Sequence, residues 1–291
     1  MTQNAAEILA DGVSVIADKY DGWIFDVWGT IYDGGAVFPG ARDVLENLGA
    51  RGVPVAIMSN SPRQTSVVEE RLTGLGVPRD LYRAVITSGG EARRHLVEGL
   101  DAFHAGLGDR VYTFAPERFG DILPGLRFTI VDRLAEADWI LNAGPAGDFD
   151  QVELYEALLV EGAGLGLPMI CANPDLAVFD QGRLKMHAGS MAARYEALGG
   201  SVHYHGKPHA PVFLRAAELL GVPGGRLIMV GDNRNTDIAG AQAAGMASLL
   251  LADGIHHEQL LRDGELDRAG LEAFLAEPGA TPTHVAARLT W

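Results

Sequence analysis

The residues able to do chemistry stand at the ends of short apolar runs. Asp26 closes the run Trp23-Ile24-Phe25, and Gly29-Thr30 turns the chain away just after it, with Trp28 in between. Ser59-Asn60 follow "VPVAIM", Lys207 follows "SVHYHG", and Asp232 and Asp237 follow "RLIMV". Two carboxylates such as Asp26 and Asp232, brought to neighbouring strand ends, would offer hard oxygen ligands suited to Mg²⁺, with Asp237 standing behind them. The Ser59 hydroxyl, the Asn60 amide and nearby backbone N–H groups can hold phosphate oxygens, and Lys207 adds a point charge that binds a dianion. With charge drawn off the phosphoryl group in this way, a carboxylate can attack phosphorus. Each residue alone has a plainer reading: Asp26 a turn former, Ser59-Asn60 a helix cap, Lys207 a solvated surface charge.

The elements that must position these groups alternate along the chain. Runs such as "GWIF", "VPVAIM", "RAVIT", "RVYTFA", "RFTIV", "ADWILNAG", "PMICAN", "SVHYHG", "RLIMVG" and "ASLLLA" have strand character. Amphipathic stretches such as "GARDVLENLGARG", "RQTSVVEERLTGLG", "FDQVELYEALLVEG", "PVFLRAAELLG" and "TDIAGAQAAG" separate most of them. The pattern predicts an α/β fold with parallel sheets covered by helices, in which ligands lie beyond the C-terminal strand ends. The runs between "RVYTFA" and "PMICAN" end mostly without reactive groups, so residues 91–186 are expected to form a second α/β unit inserted into the first, which comprises 1–90 and 187–291.

Taken in order, D-x-x-G-T, S-N, G-K-P and G-D-N-x-x-T-D resemble the haloacid dehalogenase (HAD) superfamily of phosphatases over nearly the whole chain. The spacing of the motifs and the local strings "NSPRQT", "ITSG", "ANPD" and "HGKPHAPVF" look like class IIA. That group carries a C2-type cap and includes p-nitrophenyl, sugar-phosphate, nucleotide and pyridoxal phosphatases. The resemblance implies a Rossmann-like parallel-sheet core with an inserted α/β C2-type cap. It also implies a Mg²⁺-dependent phosphohydrolase acting on a small phosphorylated metabolite through an aspartyl-phosphate. Asp26 would be the nucleophile and a Mg²⁺ ligand, with the Trp28 backbone carbonyl and Asp232 as further ligands. Ser59 and Lys207 would hold the phosphoryl group with Asn60 beside it, while Asp237 orients Lys207 or the water at the metal. The cap, with "ANPD" and "DQGRLKMHAG", would supply specificity.

Trp28 departs from this pattern. The family's phosphatases usually place a second Asp there, which protonates the leaving oxygen and then activates water; an indole N–H only donates and does not titrate usefully. Trp28 reads either as a stacking platform for an aromatic substrate or as a plug in a disused site. His209 and Asp33 are candidate substitute acid/bases, although Asp33 also suits the turn "YDGG". Two rival functions follow: a carbon–halogen hydrolase, since dehalogenases of the superfamily also carry an aromatic residue at this place, and a protein that binds phosphate ligands with little or no turnover. His203, His205 and His209 in "HYHGKPH" raise the thought of zinc, since His203 and His205 would share one strand face, but that pair has no further ligand near enough in the sequence to complete a site, and packing and surface are the plainer reading.

Composition narrows the partners. With 23 Lys and Arg against 38 Asp and Glu, the formal charge of −15 opposes binding to nucleic acid or an anionic membrane. The single cysteine, Cys171, lies in an apolar run and reads as a core residue in a reducing compartment. The first twenty residues lack a basic segment followed by a continuous apolar stretch, and no run reaches membrane-spanning length, so a soluble cytoplasmic protein is expected. The sequence leaves open a homo-oligomer.

Overall fold

The computed structural model describes residues 8–180 and 183–291. Part of the N-terminal stretch and the Gln181-Gly182 pair of "DQGRLKMHAG" therefore lie outside the described residues. In chain order the strands are β1 (Gly22–Asp26), β2 (Val55–Ser59), β3 (Ala84–Thr87), β4 (Arg110–Thr113), β5 (Thr129–Ile130), β6 (Trp139–Asn142) and β7 (Met169–Cys171). There follow β8 (Ala177–Asp180), β9 (Arg183–Met186), β10 (Val202–Tyr204), β11 (Leu227–Gly231), β12 (Ala247–Leu251), β13 (Leu261–Arg262), β14 (Glu265–Leu266) and β15 (His284–Ala286). The chain divides into two compact α/β units.

The first unit comprises Met1–Ser59, Glu69–Ile86 and Lys207–Trp291. Its sheet runs in the order β15-β12-β11-β1-β2-β3, and β1 lies parallel to both β11 and β2. All five residues of β1, β2 and β11 are buried, which explains their unbroken apolar runs: a parallel strand covered on both faces has no polar side to show. Ile24, Ala56, Met58 and Met229 pack with Val212, Phe213 and Ala216 of the helix Ala210–Leu220. Register places Phe25 beside both Ile57 and Val230, so the residues that follow all three central strands emerge at one edge of the sheet.

The second unit comprises Asn60–Val68 and Thr87–Gly206. Its parallel sheet runs β10-β7-β6-β4-β5, and successive residues of β6 serve two cores. Ile140 packs with Leu159 and Met191, while Trp139 and Leu141 pack with Ala92 and Leu96. The unit is wider than the 91–186 read from the sequence. Strand β10 pairs with β7, so the run "SVHYHG" belongs to the second sheet, and the helix Ala188–Ala197 packs there through Met191 and Tyr195. Lys207 thus follows a strand of the second unit, yet is itself the first residue of the chain's return to the first. Cys171 is buried in this unit, where its Sγ donates to the Asn173 carbonyl at 3.3 Å, and burial pushes its thiol up to about 12. Among the described residues no helix is long and apolar enough to cross a membrane.

Candidate active site

Three carboxylates and one ammonium meet at the edge where β1 and β11 end. Asp26 is the last residue of β1, Asp232 follows β11, and Asp237 lies on the π-helical turn Arg234–Ile238. Each of the three carboxylates has an oxygen within 4.8 Å of the others. Lys207 Nζ, only 3% exposed, donates to Asp26 Oδ1 at 2.5 Å and to Asp237 Oδ1 at 2.7 Å. Asp237 Oδ2 accepts from the Asn233 backbone N–H at 3.1 Å, and Asp232 Oδ2 accepts from that of Ile255 at 3.0 Å. Ser59, at the end of β2 and buried, occupies the next strand end over.

Local backbone makes room for this crowd. Gly29 sits at φ +72°, and a Cβ there would fall 2.1 Å from Asp232 Oδ2. A Cβ on Gly254 would fall 2.2 Å from Asp232 Cβ, and one on Gly231 would fall 2.2 Å from Asp237 Cγ. These glycines let the buried acids approach one another; Gly29 and Gly231 belong to motifs visible in the sequence, and Gly254 does not. Arg234 was missed altogether. It is buried within the acidic loop and donates to the carbonyls of Phe274 and Ala280 at 2.8 Å and of Glu277 at 3.0 Å, with its guanidinium 4.3 Å from the Phe274 ring centroid. It ties the loop carrying Asp232 and Asp237 to the C-terminal helix Arg268–Ala276.

The other candidates are placed as follows. Trp28 is partly exposed; its ring meets Tyr32 edge-on at 5.1 Å, and the Arg71 guanidinium lies 5.7 Å from the Trp28 centroid and 4.9 Å from that of Tyr32. Asp33 is exposed and accepts from the backbone N–H groups of Gly35 at 2.8 Å and Ala36 at 2.7 Å. The Ala36 and Gly35 N–H groups hold its carboxyl below the usual range, which favours the turn-forming reading over a proton donor. His209 caps the helix Ala210–Leu220 through its extended backbone, without a side-chain bond to the helix end. Asn60 belongs to the second unit, where its Nδ2 donates to Asp175 at 2.8 Å and its Oδ1 accepts from the Ser88 hydroxyl at 3.2 Å.

The electrostatics favour a cation. Burial pushes the Asp26 carboxyl well up, Lys207 opposes the shift, and the Asp237 and Asp232 charges reinforce it. Burial, reinforced by Asp237, pushes Asp232 up to about 7, against the Ile255 N–H and Lys207. One lysine does not balance three carboxylates, and an all-oxygen set of this kind fits a hard divalent ion. Asp26 and Asp232 are the residues that would hold it.

The raised acid has a consequence for stability. A carboxyl whose folded pKa exceeds its unfolded value of 3.8 contributes stability at low pH that is lost progressively as pH rises to about 7. In chelator, Asp232 should therefore make the melting temperature fall between about pH 4.5 and about pH 7.5, and Asp232→Asn should flatten that fall. Equal slopes in the two proteins, measured by thermal denaturation, would show that Asp232 is not strained.

Comparison with known proteins agrees with this geometry. The family model described as haloacid dehalogenase-like hydrolase matches residues 20–245, and a HAD-hydrolase-like model matches residues 204–290. A haloacid dehalogenase-like hydrolase from Brucella suis 1330 shares the fold at a TM-score of 0.81, with 31% identity over 97% of this chain and 100% of that one. The 5′-nucleotidase YutF of Bacillus subtilis is 26% identical over 253 residues, covering 84% of this chain and 91% of its own. An acid sugar phosphatase of Staphylococcus aureus is 24% identical over 241 residues, covering 81% of this chain and 88% of its own. Solved structures described as a possible sugar phosphatase of Cytophaga hutchinsonii and a p-nitrophenyl phosphatase of Archaeoglobus fulgidus share the fold at TM-scores of 0.76 and 0.72, with 19% and 22% identity over 97% and 92% of this chain and 98% and 96% of their own. With a family model running unbroken from before Asp26 to beyond Asp237, this chain belongs to the haloacid dehalogenase-like hydrolases and is a phosphatase-like hydrolase among them.

Proposed function

We propose that the protein is a Mg²⁺-dependent phosphohydrolase that cleaves a small phosphorylated metabolite through an aspartyl-phosphate on Asp26, with residues of the second unit selecting the substrate as a C2-type cap. The observation that carries this reading is the buried Asp26–Lys207–Asp237 contact with Asp232 alongside. When bound, Mg²⁺ would offset the carboxylate charge and polarise the phosphoryl oxygens. Lys207 orients Asp26 by its Oδ1 and is itself fixed by Asp237, so the ammonium is aimed before substrate arrives. Asp26 attacks phosphorus, the bond from phosphorus to the leaving oxygen breaks, and water then cleaves the acyl phosphate to return the carboxylate and release phosphate. Ser59, at the neighbouring strand end, would hold a phosphoryl oxygen, and Asn60 would follow it. The B. subtilis and S. aureus relatives are named for nucleotide and sugar phosphate substrates, which are the classes to screen first. A cytoplasmic setting suits the reduced, buried Cys171.

Trp28 sets the character of the chemistry. Without a carboxyl at that place, departure of the leaving oxygen is unassisted, so leaving groups that depart as stable anions should be favoured. General acid help contributes about 10²-fold at the low end. The ratio of kcat/KM for p-nitrophenyl phosphate over an alkyl phosphate should exceed that of the Trp28→Asp variant by at least about this factor. A ratio equal in the two proteins would show that another group, with His209 the first to test, donates the proton. The screen that tests the whole reading measures phosphate release from phosphorylated metabolites in Mg²⁺ and in EDTA. Release that survives EDTA, or halide release from a haloacid without Mg²⁺, would overturn it; tight binding without product over hours would favour a ligand-binding role.

A further inference from the structure

The histidines of "HYHGKPH" part company in the structure. His209 belongs to the first unit, and His203 stacks on Phe103 with centroids 3.3 Å apart and planes 7° from parallel. His205, buried just after β10, meets residues about a hundred positions upstream. His95 comes from the helix Ser88–Glu98, Asp101 caps the short helix Ala102–Ala105, and His104 lies within that helix. The Asp101 Oδ1 accepts the His104 backbone N–H at 2.9 Å, closing the cap. Its Oδ2 lies 2.8 Å from His104 Nδ1 and 3.2 Å from His95 Nδ1. On the far side of the same ring, His104 Nε2 lies 3.0 Å from His205 Nε2. The ring centroids of His95, His104 and His205 are 4.8 to 5.1 Å apart.

We propose that His95, His104 and Asp101 bind a divalent transition metal of the zinc class, with His205 fixing the His104 ring from behind. The donor atoms of these three residues lie within 4.8 Å of one another. Zn–N bonds of about 2.0–2.1 Å in a tetrahedral array place neighbouring donors about 3.3 Å apart, close to the 2.8 and 3.2 Å seen between Asp101 Oδ2 and the two Nδ1 atoms. A carboxylate only accepts, so without an ion both facing Nδ1 atoms must carry protons. An ion would replace those protons, and His104 would then carry its proton on Nε2 and donate it to His205. That outer contact is the one by which a ligating imidazole is commonly oriented. The Asp101 side chain is 45% exposed and that of His95 17%, which gives an ion a path from solvent and leaves room for water as a further ligand.

The choice of N and O donors separates this site from the all-carboxylate set of the first unit, because imidazole suits Zn²⁺ and Co²⁺ far better than Mg²⁺. The full chain, stripped with chelator and held in excess Mg²⁺, should bind one equivalent of Zn²⁺ by calorimetry. Co²⁺ in the same buffer should give the visible bands of a low-coordinate N/O site. His95→Ala and Asp101→Asn should each weaken Zn²⁺ binding by at least about tenfold, whereas Asp26→Asn should leave it in place. Asn can still cap the short helix, so Asp101→Asn tests ligation with the fold kept; circular dichroism checks each variant, and His95→Gln substitutes if His95→Ala does not fold. Absence of Zn²⁺ binding in Mg²⁺, or binding that Asp26→Asn removes and the two second-unit variants leave unchanged, would overturn the proposal.

Discussion

Asp26→Asn should lose turnover by about 10⁴–10⁶-fold, the scale seen when a covalent nucleophile is removed from an enzyme that keeps its other groups. The amide is nearly isosteric and can still accept from Lys207, but it is a far weaker nucleophile. The protein should fold at least as well as the parent at neutral pH, because the substitution removes one of three crowded carboxylates whose ionisation burial opposes. Lys207 keeps Asp237 as its partner at 2.7 Å, so no buried charge is orphaned. Phosphate release and intact mass after exposure to an aryl phosphate would report turnover and labelling of Asp26. Thermal denaturation would report the fold. Activity within tenfold of the parent in a folded variant would remove Asp26 from the chemistry.

Trp28→Asp should raise turnover, by about 10²–10⁴-fold if the new carboxyl takes up both the acid and the base roles. On the proposed aspartyl-phosphate mechanism, with no carboxyl at Trp28 to activate water, rapid mixing of the parent with an aryl phosphate should show a burst of phenol followed by slow release, and the variant should shorten the slow phase. The structure makes the substitution milder than the sequence allowed. Trp28 is partly exposed and makes an edge contact to Tyr32, so the loss should fall below the about 3–5 kcal/mol of a fully buried Trp→Ala change. It also supplies a complication that can be tested. Arg71, beside the Trp28 ring, could draw the new carboxylate into an ion pair and hold its pKa too low for a proton donor. Trp28→Asp with Arg71→Gln should then exceed Trp28→Asp alone. A folded Trp28→Asp protein that turns over more slowly than the parent, in both backgrounds, would mean that the indole has a positive role such as stacking on substrate.

Much of the fold was legible because parallel strands covered on both faces must be apolar throughout. "GWIF", "VPVAIM" and "RLIMVG" announce β1, β2 and β11, and the residues after them could be read as the edge where chemistry gathers. Elements without that signature escaped. The helix Ser88–Glu98 opens on Ser-Gly-Gly and is begun by the Thr87 hydroxyl, which accepts from the Gly90 N–H at 2.9 Å. The hairpin of β8 and β9 and the edge strand β15 are short, and pairing rather than propensity makes them strands.

By itself the sequence singled out Asp26, Asp232, Asp237, Lys207 and Ser59 as candidates for a phosphoryl site, since they follow apolar runs in an order whose motifs are local. It also showed that the side chain of Trp28 cannot serve as an acid or base, because a side chain's ability to titrate is a property of its type. Tertiary structure alone decided what depends on residues far apart in the chain. Pairing of β10 with β7 assigned the strand before Lys207 to the second sheet, and the Arg234 contacts to Phe274, Glu277 and Ala280 tied the acidic loop to the C-terminal helix. The same is true of the histidines. His95, Asp101 and His104 stand close together in the sequence, but no local spacing joins them to His205; only tertiary structure brings the His205 ring, which follows β10, to the far side of the His104 ring at 3.0 Å.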